Sequence, residues 1–146
     1  RFSIMAYGTL KFDTLTTSDS VNTSTDKSLN TSYIFNGVPK VWINFNGEGT
    51  IAARDSFNIG SLTDVGTARY RANLTNNMGN DDYCVAGSVG EVSGTDISGC
   101  WFSTGFNQDS FGSTITTSQF SVQVYYSTSQ TADTDSINAA VNGDLA

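Results

Sequence analysis

Apolar and polar positions alternate along much of this chain with a period of two, the signature of a strand with one buried face. Val41, Ile43 and Phe45 share one parity, and Trp42 and Asn44 take the other. The cleanest case is Ala68, Tyr70, Ala72 and Leu74 against Arg69, Arg71, Asn73 and Thr75. Phe120, Val122, Val124 and Tyr126 alternate with Ser121, Gln123 and Tyr125, and Ile137, Ala139 and Val141 close the series. Weaker runs lie at Tyr83 to Val89, at Cys100 to Phe106 (with Trp101, Phe102 and Phe106), and at Ser113 to Thr117. Between Ile51 and Ile59 the apolar parity is held by Ile51, Ala53, Phe57 and Ile59, and Asp55 intrudes on it, predicting a bulge or a polar contact there.

Turn signals separate these runs. Asn46-Gly47-Glu48-Gly49 and Asp64-Val65-Gly66 have the residue types that tight turns demand, and Asn76 to Asp82 is a polar loop. Pro39, the only proline, marks the start of a strand, because a strand interior rejects it. About eight strands follow Val38, and no segment holds a helical period over three turns. The predicted fold is all-β: an antiparallel β-sandwich, jelly-roll-like, with a closed barrel as the alternative.

The first third has a different pattern. From Thr16 to Ser32 nearly every residue is Ser, Thr, Asn or Asp, and Val21 and Leu29 are the apolar exceptions. Such a stretch buries too little surface to offset its ordering entropy, so an extended polar arm is expected. The competing expectation is an edge strand with a long surface loop of the same domain. Upstream, Phe2, Tyr7, Leu10 and Phe12 are candidate assembly anchors, apolar positions able to dock the arm on a neighbouring chain. The division is therefore residues 1–37, an N-terminal attachment arm, and residues 38–146, the sandwich.

Composition supports the β class: nine Phe, six Tyr, two Trp and 14 Gly among 146 residues suit half-buried strands and their turns. A net charge of −7 argues against nucleic acid and against anionic membrane as partners. No apolar run approaches the roughly 20 residues that cross a bilayer, so membrane insertion is not expected. Arg1 to Met5 is too short and too polar for a secretory signal. Cys84 and Cys100 either pair or stay as two buried free thiols.

Chemistry is sparse. The chain has no histidine, which removes Ser-His-Asp and Cys-His arrangements and most zinc and copper sites. Paired carboxylates are the remaining enzymatic option, drawn from Glu48, Asp55, Asp64, Asp81, Asp82 and Glu91, with Asp55 the one expected to be half-buried. Asp81-Asp82 and Asp133 with Asp135 lack calcium-loop spacing. No catalytic residue, no metal site and no cofactor is expected. Trp101 and Tyr125 are the candidate glycan contacts, since sugar rings stack on aromatic faces; core or interface packing is the other use of such residues. Arg69 and Arg71 are assigned to keeping a polar face soluble or to pairing across a protomer boundary.

Several stretches resemble small virion structural and tail-fibre proteins of tailed bacteriophages, marine and cyanophage-like ones above all. They are Met5-Ala6-Tyr7-Gly8-Thr9-Leu10-Lys11 with Asp13-Thr14-Leu15-Thr16, Val38-Pro39-Lys40-Val41-Trp42-Ile43-Asn44-Phe45-Asn46-Gly47, Asp55-Ser56-Phe57-Asn58-Ile59 through Gly66-Thr67, Asp82-Tyr83, and Ile137 to Ala146. Val41 to Thr67 is the most specific part; Pro39, Cys84 and Cys100 depart from the common pattern. The resemblance implies a non-enzymatic structural protein on the virion surface, at tail or capsid, without a cofactor. Its expected partners are other virion proteins, further copies of itself in a homotrimer, and host surface polysaccharide for a fibre tip. The alternatives are a capsid-surface decoration or knob protein and a free carbohydrate-binding module.

Overall fold

The computed structural model describes residues 14–17, 27–90, 100–104, 115–127 and 130–146. The chain divides into two compact units, Arg1–Val38 and Pro39–Ala146. The anchor candidates Phe2, Tyr7, Leu10 and Phe12 lie outside the described residues, as do Glu91 and Phe106.

In the N-terminal unit, β1 (Thr14–Thr17) pairs antiparallel with β2 (Lys27–Asn30), Leu15 opposite Leu29. A seven-residue helix, α1 (Thr31–Gly37), follows directly. Composition predicts an extended arm here; the described part instead holds a ladder and a helix. Thr14 to Thr17 is rich in β-branched residues, which favours the ladder locally. The helix ends with the Val38 amide donating to the Ile34 carbonyl at 3.2 Å. It stops there because Pro39 has no N–H and pushes Val38 away from helical torsions.

The Pro39–Ala146 unit is built from antiparallel strands. They are β3 (Val41–Asn46), β4 (Ala52–Phe57), β5 (Ile59–Gly66), β6 (Arg69–Leu74), β7 (Cys84–Val89), β8 (Trp101–Thr104), β9 (Ile115–Thr116), β10 (Gln119–Ser127), β11 (Gln130–Thr131) and β12 (Ile137–Asn142). One sheet has the order β4-β3-β12-β7. The other runs β11-β10-β6-β5, with β8 and β9 also paired to β10. With its antiparallel sheets and, among the described residues, one short helix, the protein is mostly β, in line with the all-β expectation.

Among the described residues, one buried apolar cluster draws on both sheets. From β3 and β12 come Val41, Ile43, Phe45, Ile137, Ala139 and Val141, the parities predicted to face inward. From β6 and β10 come Tyr70, Ala72, Phe120, Val122 and Val124. Phe45 meets Tyr70 edge to face, with ring centroids 5.3 Å apart and planes at 74°. On β10 the intervening Ser121 and Gln123 are buried as well.

The chain passes from one sheet to the other at a single residue, Asn58, between β4 and β5. Asn58 has φ of 61°, which breaks strand geometry and turns the corner. Its side chain then fixes the bend: Oδ1 accepts from the Asn76 amide at 2.7 Å, and Nδ2 donates to the Asn76 carbonyl at 3.1 Å. Continuous alternation across Ile51 to Ile59 conceals this corner. The irregularity expected at Asp55 does occur: Asp55 lies opposite Asn44, and Ala53 opposite Phe45, so Arg54 is extra. The extra residue turns Phe57 to the outer face beside Trp42, contrary to its inward parity in the sequence.

Within the predicted polar loop 76–82, Met78 is buried and bridges to Leu145. The Gly79 amide donates to the Asp144 carbonyl and the Ala146 amide to the Asn77 carbonyl, so the loop and the C-terminal segment hold each other.

Candidate functional site

Trp101 on β8 and Tyr125 on β10 are register partners, and the fold brings these two candidates together. Their rings stack at a centroid distance of 6.1 Å and an interplanar angle of 12°. Stacking occupies one face of each ring. Trp101 keeps 45% of its surface exposed, and the Tyr125 hydroxyl donates to Gln123 Oε1 at 3.0 Å. Beside Trp101 lies a cleft of about 380 Å³, lined by Gly87, Ser88, Val89, Cys100, Trp101 and Phe102. Gly87 makes room for Phe102: a Cβ there would sit 3.0 Å from the Phe102 Cζ and would collide with the Asn138 carbonyl.

The carboxylates hold local structure. Asp55 is exposed, not half-buried as expected, because the bulge turns it outward; its Oδ1 accepts from the Ser56 amide at 2.8 Å. Asp64 caps its own turn by accepting from the Gly66 amide at 3.0 Å. Asp81 and Asp82 are exposed. Asp133 reaches furthest: Oδ1 accepts from the Ala68 amide at 2.6 Å and lies 2.8 Å from the Tyr70 hydroxyl. That hydroxyl also lies 2.9 Å from the Gly47 carbonyl, and its one proton serves either acceptor. Burial, then the bond and charge of Asp133, raise the Tyr70 phenol well above its ordinary value. Among the described residues, no three or more of His, Cys, Asp and Glu gather where they could share a metal ion.

Cys84 and Cys100 are both free thiols, and Cys84 is exposed where a buried thiol was the expectation. Cys84 ends the β7 ladder opposite Asn142, at the margin of the sheet. Arg69 and Arg71 are half-buried beside Gln123 and Ser121 of β10.

Two aromatic surfaces escaped the sequence reading. In the N-terminal unit Tyr33 and Phe35 are 72% and 70% exposed, with Val38 exposed behind them. On the outer face of the β4-β3-β12-β7 sheet, Phe57, Trp42, Ala140 and Ala86 form one cross-strand row, and Asp55, Asn44, Asn138 and Ser88 form the next. Trp42 is 39% and Phe57 53% exposed. Asn44 Nδ2 donates to Asn138 Oδ1 at 2.7 Å, and Arg54 Nη1 reaches Asn44 Oδ1 at 3.4 Å. These rows frame a trough of about 350 Å³. The signal was present in the sequence: Trp42 occupies the polar parity of an alternating strand, where a tryptophan is out of place unless that face meets something.

Comparison of the chain with protein-family models, with curated proteins and with solved structures found no match.

Proposed function

We propose that this chain is a non-catalytic structural component of a phage virion surface, a tail-fibre or fibre-tip element that attaches through its N-terminal unit. The observation that carries the proposal is the exposed apolar set Tyr33, Ile34, Phe35 and Val38, concentrated in the unit preceding Pro39. Exposed apolar residues grouped in this way mark sites of association. The resemblance of Val41 to Thr67 to small virion proteins supplies the particle. Virion proteins and further copies of this chain are the partners, and closed threefold symmetry needs only one self-association patch.

The Pro39–Ala146 unit is proposed to be a β-sandwich, supported by the cluster that inward residues of both sheets share. Its first and last strands, β3 and β12, are neighbours, as in a jelly-roll-like closure. The within-sheet hairpins β3-β4 and β5-β6 depart from two interleaved Greek keys. A non-catalytic role draws support from the absence of histidine and from carboxylates engaged in turns and loops. Trp101 and Tyr125 favour packing over an open glycan platform, since each ring already covers the other.

The test is incorporation. Particles produced with the full chain carrying Tyr33→Ser and Phe35→Ser should contain at least about tenfold less of it, a loss of ~1.4 kcal/mol in attachment. The variant's melting curve should match that of the parent chain. Equal incorporation would remove the N-terminal unit from attachment. Recovery on capsid faces instead of the tail would make the chain a decoration or knob protein.

A further inference from the structure

We propose that the free edge of β7 pairs with β7 of a second copy, antiparallel about a twofold axis beside Gly87, so that the β4-β3-β12-β7 sheet continues from one copy into the next. The contact lies wholly in the later unit and is independent of attachment by the N-terminal unit.

β7 is an end strand, bonded to β12 on one side. The Gly90 amide donates to the Ser136 carbonyl at 2.7 Å, and the register runs unbroken from Val89 opposite Ile137 to Cys84 opposite Asn142. In an antiparallel ladder, residues that exchange hydrogen bonds with one neighbour alternate along the strand. Ser88, Ala86 and Cys84 therefore turn their N–H and C=O groups to β12, and Val85, Gly87 and Val89 aim theirs at the other edge. Among the described residues, no backbone hydrogen bond outside the ladder reaches any of these three. A cleft of about 380 Å³ lies along that edge, lined by Gly87, Ser88 and Val89 of β7 and by no residue of β12. Donors and acceptors alternating at strand spacing are complemented by another extended backbone.

Two other end strands are guarded against such pairing. β4, at the far end of the same sheet, has the bulge at Arg54 and two charged residues, Arg54 and Asp55. β5, an end of the second sheet, has two register shifts and Asp64. Bulges and charges block edge-to-edge association. β7 has no charge, no proline and no bulge.

The sequence of the edge selects a second copy as the occupant. Val85-Ala86-Gly87-Ser88-Val89 reads nearly the same in both directions. The twofold axis sets Gly87 against the partner's Gly87, Val85 against the partner's Val89, and Ala86 against the partner's Ser88. The outward N–H and C=O groups of each copy then meet those of the other. Valine opposite valine is a favourable cross-strand pair, and an isologous contact requires this kind of self-complementarity. Two chains of charge −7 repel each other, and an edge without charged side chains keeps that cost low where they touch. Val85 and Val89 are half-buried, and pairing covers more of both.

The experiment uses the full chain with Cys84→Ser and Cys100→Ser, to which either Ala86→Cys or Ser88→Cys is added. Ala86 and Ser88 are exposed, so each variant should keep the parent melting curve. On oxidation, a mixture of the two chains should give a disulfide-linked pair. Neither alone should do so, because Ala86 and the partner's Ala86 lie diagonally, beyond bridging distance. In a second measurement, Ala86→Glu with Ser88→Glu sets like charges opposite each other and should halve the sedimenting mass at about 0.1 mM. Mixing that chain with one carrying Ala86→Lys and Ser88→Lys should restore the mass. Three results overturn the proposal: no cross-link in the mixture, a mass that the Glu substitutions leave unchanged, or a mass that mixing fails to restore. A chain that associates through its N-terminal unit alone gives the second of these, and particle incorporation is read separately.

Discussion

Asp133, Tyr70 and Gly47 show how single residues close this fold. Tyr70 sits in the core, and its hydroxyl is held between the Gly47 carbonyl and Asp133. Gly47 is required by that approach, because a Cβ there would lie 2.5 Å from the Tyr70 hydroxyl oxygen. Ala68, with φ of 59°, is buried, and its amide is satisfied by Asp133. Asp133→Ala leaves the buried Ala68 amide without its acceptor, while the phenol keeps the Gly47 carbonyl, and should cost about 2 kcal/mol in urea unfolding. Asp133→Asn keeps an amide oxygen and should cost about 1 kcal/mol. Tyr83 ties the 115–120 hairpin, with its hydroxyl 2.9 Å from the Thr116 carbonyl and 2.8 Å from the Gln119 carbonyl. Burial is the main cause that pushes this phenol up to about 12 from 10.0. Between those values the unfolded chain has released the proton and the folded chain has not, so stability falls as pH rises through the window. The urea midpoint should drop between pH 10 and pH 12, and less so in Tyr83→Phe. Tyr70 acts in the same direction and preserves part of the drop. A Tyr83→Phe profile identical to that of the parent would show that the Tyr83 phenol does not couple to folding.

Among elements, the corner at Asn58 decides how β4 and β5 are shared between the sheets. Asn58→Ala removes both the side-chain bonds to Asn76 and the residue type that tolerates positive φ, with an expected cost of about 2–3 kcal/mol. Asn58→Gly restores the torsion alone and should fall between Ala and the parent. Equal losses for Ala and Gly would mean that the torsion contributes nothing. The same region shows what the sequence could reveal. Inward faces were legible for β3, β6, β10 and β12, because one-sided burial imposes a period of two. The Asn58 corner was hidden, since apolar parity continues across it. The bulge was legible from Asp55, but its effect on Phe57 was not, because one inserted residue reverses every later side chain. Partner choice was also invisible: Asn44 and Asn138 are 94 residues apart, and alternation carries no information about which strands meet. Met78 and α1 were missed because each is a short apolar feature set in polar surroundings.

At the scale of the molecule, the two units divide along a change in composition, with the apolar alternation concentrated after Pro39. The later unit contains the whole buried cluster, so residues 39–146 should unfold in one cooperative transition when produced alone. The exposed Tyr33 and Phe35 lie in the earlier unit, and the trough beside Trp42 in the later one. Such a division suits a chain that attaches with one part and presents the other. The central claim is that this protein is displayed on a virion surface, and cryo-electron microscopy of intact particles labelled with an antibody fragment against the 39–146 unit tests it most directly. Symmetric label on the particle exterior is the expected result, with position at the tail placing the chain in a fibre. Intact particles that contain no label and no such chain would contradict the claim.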